Sequence, residues 1–154
     1  MPAPLATLDD ARRLLFAGDC TFTLVSRKSG ERRTFRIAAA KPDARYPNRG
    51  PAWFASVLTG PDNGSDYTYV GMLTAGTAGI VPGLRLTAKS TMRDDSPPVA
   101  GLRWLLDVLR RDHTALWARA EVWHADTCAR CGRALTDPES IARRLGPKCA
   151  GYTE

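Results

Sequence analysis

The chain is poor in the residues that most enzymes use for chemistry. It has two histidines and four cysteines in 154 residues, and His113, after Asp112 at the end of a predicted helix, is not matched to a catalytic pairing. Its glycine-rich stretch between Gly71 and Gly83 lacks the Lys-Ser/Thr that completes a phosphate-binding loop. Asp62, Asp66, Asp94 and Asp95 fall in turn sequences, where aspartate is favoured for local hydrogen bonding. These absences lead us to expect a non-catalytic protein. No apolar run approaches the length of a membrane span, which excludes a spanning helix. The N-terminus lacks a basic region followed by an apolar run and a cleavage site, so the expectation is cytoplasmic residence with reduced thiols. Internal repeats and low-complexity tracts are also missing. Lysine is scarce at 4 residues against 18 arginines, a bias that a GC-rich genome produces regardless of function.

What is present is a basic surplus, concentrated in one place. The formal net charge is +6. Arg27, Lys28, Arg32, Arg33, Arg36, Lys41, Arg45 and Arg49 face only Glu31 and Asp43 between positions 27 and 49, a local surplus equal to that of the whole chain. Such a density attracts phosphate backbones and raises association rates.

The second concentration lies near the C-terminus, where His124, Cys128, Cys131 and Cys149 are spaced H-x3-C-x2-C-x17-C. Two cysteines two residues apart turn their sulfurs towards one point, and Gly132 permits the backbone of that turn. A single structural zinc ion held by these four residues would pin a segment too small to bury a core of its own. Other readings of the pair exist. A redox pair usually opens a helix, whereas Cys131 is followed by the turn sequence Gly-Arg-Ala-Leu-Thr-Asp-Pro. A disulfide framework belongs to an oxidising compartment. Cys20 competes with His124 as fourth ligand, but it lies in a predicted strand far away in sequence. Four protein ligands leave no position for an activated water, so the site reads as structural.

Hydrophobic periodicity supplies the frame. Thr7 followed by Asp10 predicts a capped helix with Leu8, Ala11 and Leu15 on one face. Strands are expected over 20–28, 32–38, 52–59, 67–73 and 84–89, the first two as a hairpin around Ser29-Gly30 with a basic outer face. The Pro- and Arg-rich stretch 40–51 reads as a long loop. Ser96-Pro97-Pro98 opens the strongest helix, with Leu102, Leu105, Leu106 and Leu109 on its apolar face. A further strand at 117–123 runs into the zinc segment, and Asp137-Pro138 starts a short last helix. The fold class is therefore α+β: a curved antiparallel sheet of about five strands with packed helices and a C-terminal zinc-knuckle appendage. The expected division is an α+β domain over 1–116 and a zinc-binding module over 117–154.

The C-terminal run from His124 through Cys128-Ala-Arg-Cys131-Gly-Arg-Ala-Leu-Thr-Asp-Pro-Glu-Ser-Ile141 to Gly146-Pro-Lys-Cys149 resembles a family of small proteins of unassigned function, encoded by actinobacterial phages and plasmids. Their recurrent ending is H-x3-C-x2-C-G-R-x-L-T-x-P-x-S-I-x-x-G-x-G-P-x-C. Arg144 replaces the first glycine of the last part, which touches no ligand. The stretch Trp53 to Tyr69 is similar to that group as well. The resemblance implies metal binding and a mobile-element origin, and supplies no activity.

Two functions follow as expectations. One is binding of single-stranded DNA or RNA, with the basic hairpin and loop on phosphates and Tyr67, Tyr69 and Trp53 offered for stacking. Tyrosines at period two are also common in sheet cores, and the pattern predicts burial of at least one of them. The other is a protein-interaction module that inhibits a host defence or replication protein by docking its basic patch on an acidic surface. Neither calls for a membrane or a small-molecule substrate.

Overall fold

In the computed structural model, the described residues are 4–5, 7–16, 18–41, 44–45, 51–60, 65–74, 81–111, 113–127, 134–136 and 138–143. The sheet and the two longer helices account for most of them.

Helix α1 (Leu8–Leu15) begins as its sequence dictates: the Thr7 hydroxyl accepts a hydrogen bond from the Asp10 amide at 3.1 Å. Leu8, Ala11 and Leu15 are its buried residues. Strands β1 (Cys20–Ser26), β2 (Arg32–Ala39), β3 (Ala52–Leu58), β4 (Tyr67–Thr74) and β5 (Gly83–Arg85) form an antiparallel meander. Helix α2 (Pro97–Arg111) buries Val99, Leu102, Leu105, Leu106, Val108 and Leu109. The short α3 (Thr114–Trp117) is capped by the ring of His113, whose Nδ1 accepts from the Leu116 amide at 3.2 Å. That gives one of the two histidines a structural task. Strand β6 (Ala120–His124) then pairs with β1, so the open six-stranded sheet has the order β5-β4-β3-β2-β1-β6. The residues expected to lead into a separate C-terminal module thus supply an edge strand of the main sheet.

Beyond β6, β7 (Asp126–Thr127) pairs with β8 (Ala134–Leu135), and α4 (Pro138–Arg143) follows. The expected strand at 84–89 shortens to β5 for a local reason. The Thr87 amide donates to the Ser90 hydroxyl and the Ser90 amide to the Thr87 carbonyl, which closes a turn in place of a ladder.

Alternation along the strands sorts the sheet into two faces. Phe22, Phe35, Ile37, Ala55, Val57, Leu73 and Val122 form one core with α1 and α2. The register shift between Ala55 and Ser56 leaves Val70 as the extra residue of a bulge, and Val70 joins this core. The opposite face has no helix over β3, β4 and β5 among the described residues. None of the helices described is long and apolar enough to cross a membrane.

Candidate nucleic-acid face and metal segment

The face opposite α1 and α2 is built row by row from the register. Ala38, Phe54, Met72 and Arg85 lie across β2 to β5; Thr21, Arg36, Ser56 and Tyr69 form the next row; Leu58 and Tyr67 the one after. The β4 bulge makes Tyr69 and Met72 share this face, although strict alternation would put them on opposite sides. Phe54 is 39% exposed, the only large hydrophobic side chain so exposed among the described residues. Its ring lies 6.3 Å from that of Tyr69, tilted by 57°. The Arg36 guanidinium sits 4.0 Å over the Tyr67 ring, and the Tyr69 hydroxyl meets that of Thr87 at 3.1 Å. The result is a half-exposed aromatic surface with cations at its margins.

Both tyrosines are half-buried on this face, and neither belongs to the main core. Trp53 has the other orientation: it packs against the core, edge-on to Phe16 at 5.6 Å. The stacking candidate that the sequence reading missed is its neighbour Phe54. Parity would have separated the two, but 52–59 is so continuously apolar that it concealed which side faced the helices.

The basic segment does not act as one patch. Arg36 belongs to the aromatic face, and Lys41 and Arg45 are exposed beyond the end of β2. Arg32 is on the same side as Arg36, with Nη1 and Nη2 donating to the two carboxylate oxygens of Glu139 at 2.9 and 2.6 Å. Arg33 points to the helix side, 3.6 Å from Glu31. Arg27 lies 3.7 Å from Glu121, and Lys28 is exposed in the hairpin turn. Arg49 lies outside the described residues. Adjacent strand residues face opposite ways, so a charge run in sequence divides in space.

The Arg32–Glu139 pair belongs to a second feature of this face. Over β1 and β2 the chain after β8 lies against the sheet. The Thr23 hydroxyl donates to the Thr136 carbonyl and meets the Thr34 hydroxyl at 2.8 Å, with Thr23 only 1% exposed. Val25 on this face and Ile141 of α4 are both buried, and neither is part of the main core. The described part of the C-terminal segment thus covers the β1 side, and no described residue of that segment is placed over β3 to β5.

Of the four expected zinc ligands, His124 alone lies among the described residues. It is exposed, at the end of β6 opposite Phe22. Cys128, Cys131 and Cys149 lie outside the described residues, among which no group of three or more potential metal ligands occurs. The surroundings fit a zinc site in donor chemistry and in order. In sequence His124 precedes β7 closely and Cys128 follows it directly, and Thr127 pairs with Ala134.

Cys20, the rival ligand, is 3% exposed, in register with Ile37. Burial pushes its thiol from an ordinary 9.0 up to about 11, which disfavours the thiolate that a metal needs. Because the folded-state value is raised, the associated stability is complete below 9.0 and is lost as pH rises through about 11. Urea denaturation should show a fall of roughly 2–3 kcal/mol across that window, absent in Cys20→Ala. Equal pH dependence in both proteins would count against this placement.

Residues 118–152 match a family of unknown function, DUF6011. That match takes in β6, the β7–β8 pair, α4 and all four candidate ligands. Its extent agrees with the structure in joining the sheet's edge strand to the segment beyond it. No curated protein and no solved structure matches the chain.

Proposed function

We propose that this chain is a non-catalytic, zinc-stabilised protein that binds single-stranded DNA or RNA on the β3–β5 part of the sheet face opposite α1 and α2. The observation that carries the reading is the grouping of Phe54, Tyr67 and Tyr69 with Arg36 on that face. An aromatic side chain left in water gives up roughly 1.5–3 kcal/mol of burial, and stacking of an unpaired base recovers a comparable amount, about 1–3 kcal/mol per base. Duplex bases are already stacked on each other, so this surface favours single strands. Arg36, Arg85, Lys41 and Arg45 supply positive charge at or beyond the aromatic rows.

Zinc held by His124, Cys128, Cys131 and Cys149 would be structural, with a closed coordination sphere. Bound there, it supplies a rigid clamp and no reaction chemistry. The protein residues do the rest: Arg32 and Thr23 hold the C-terminal segment to the β1 side. The C-terminal motif supports an origin in a phage or plasmid and an intracellular site of action.

Fluorescence anisotropy with a labelled oligonucleotide tests this reading. Single strands should bind with a log–log salt slope of about −2 to −3, reduced in magnitude by about 0.7 in Arg36→Glu. The matching duplex should bind more weakly at equal salt. Equal affinity for duplex, or no binding at low salt, would overturn the reading.

A further inference from the structure

On the other side of the sheet, the tip of the β1–β2 hairpin and the first turns of α2 enclose a groove of about 320 Å³. Its floor is apolar, with Leu24, Pro97, Gly101 and Trp104. Its rim is cationic: Lys28, Arg33 and Arg119 line it against the single carboxylate of Glu31. Among the described residues Lys28 and Arg119 pair with no carboxylate, while Arg33 lies 3.6 Å from Glu31. The positive end of α2 opens here, and its first turn carries no acidic residue. Asp94 and Asp95, just before the helix, are engaged by Arg103 and Arg93 at 2.6 and 3.4 Å.

Gly101 is a second, independent sign. It sits inside a 15-residue helix, where glycine is the poorest residue after proline. Neither conformation nor crowding asks for it, since its φ is not positive and a Cβ there would meet nothing within 4 Å. The missing side chain keeps the floor of the groove open at a cost to the helix.

We propose that this groove binds an acidic peptide segment of a partner protein, with one large apolar side chain inserted between Trp104 and the hairpin. The apolar floor takes the anchor; Lys28, Arg33 and Arg119 take flanking carboxylates. The volume lies at the lower end for ligand sites and suits one such side chain with its neighbours. This site is separate from the aromatic face and does not depend on nucleic-acid binding there.

The test is a titration of the full ¹⁵N-labelled chain with short Asp/Glu peptides carrying one central Trp, Phe or Leu. Saturable shifts of the Trp104 indole and Gly101 amide are expected, and a central alanine should weaken binding by about tenfold or more. Gly101→Leu should lower affinity by a similar factor. Gly101→Ala should raise the melting temperature while weakening the peptide, an opposition that a purely structural glycine would not give. Lys28→Glu with Arg119→Glu should weaken binding and its salt dependence. Absence of these shifts up to millimolar peptide, indifference to the central residue, or displacement of the peptide by oligothymidylate with the same shifts would each overturn the proposal.

Discussion

Phe54→Ala is expected to weaken single-strand binding by roughly 10–100-fold and to leave the melting temperature almost unchanged. Most stability effects of aromatic truncation come from cavities in a packed core, and Phe54 lies outside that core with 39% of its surface in water. Tyr69→Ala should cost a similar factor in binding, with a modest loss of stability, because its hydroxyl is tied to Thr87. Trp53→Ala provides the contrast. Its ring packs against Phe16 and the core, so it should destabilise the fold by about 3 kcal/mol or more. Its effect on affinity should be small under conditions where the protein remains folded. Anisotropy and thermal melts on the three variants separate these outcomes. A Phe54→Ala protein that binds normally would remove the main support for the aromatic face.

Stripping the metal with a strong chelator should release the chain beyond His124 while β1 to β5 stay folded. Structural zinc contributes roughly 10–16 kcal/mol to small modules of this kind. The described part of this segment has few other sources of stability: a two-residue strand pair, the buried Ile141, the Thr23–Thr136 hydrogen bond and the exposed Arg32–Glu139 pair. Such surface pairs contribute about 0–1 kcal/mol. Amide NMR should therefore show collapse of signals for residues 126–143 and persistence of those from the meander. Thr23 and Thr34 amides should shift, since the segment that shields their hydroxyls would leave. Cys128→Ser should reproduce the change without chelator. Unaltered spectra and melting after complete chelation would contradict a structural zinc site.

Much of the fold was readable from local pattern. The α1 cap, the apolar faces of α1 and α2, and four of the five meander strands follow directly from hydroxyl caps and period-two or period-3.6 burial. Long-range pairing was not. Nothing local tells β6 to leave its sequence neighbours and join β1, more than ninety positions earlier, as edge strand. The aromatic face was partly legible: Tyr67 and Tyr69 share a side by simple alternation, whereas Met72 joins them only through a bulge that the sequence does not announce. The apolar run around Trp53 and Phe54 identifies a strand, but not which side it turns to the helices. The basic segment shows the same limit. Its charges are adjacent in sequence, yet Arg32 and Arg33 reach opposite faces, and Arg32 meets Glu139 from the far end of the chain.

Photocrosslinking addresses the central claim most directly. A single strand containing 5-iodouracil, irradiated in complex with the full protein and mapped by mass spectrometry, should attach to Phe54, Tyr67 or Tyr69. Attachment confined to α1, α2 or the hairpin groove, under conditions where anisotropy reports binding, would contradict recognition on the aromatic face.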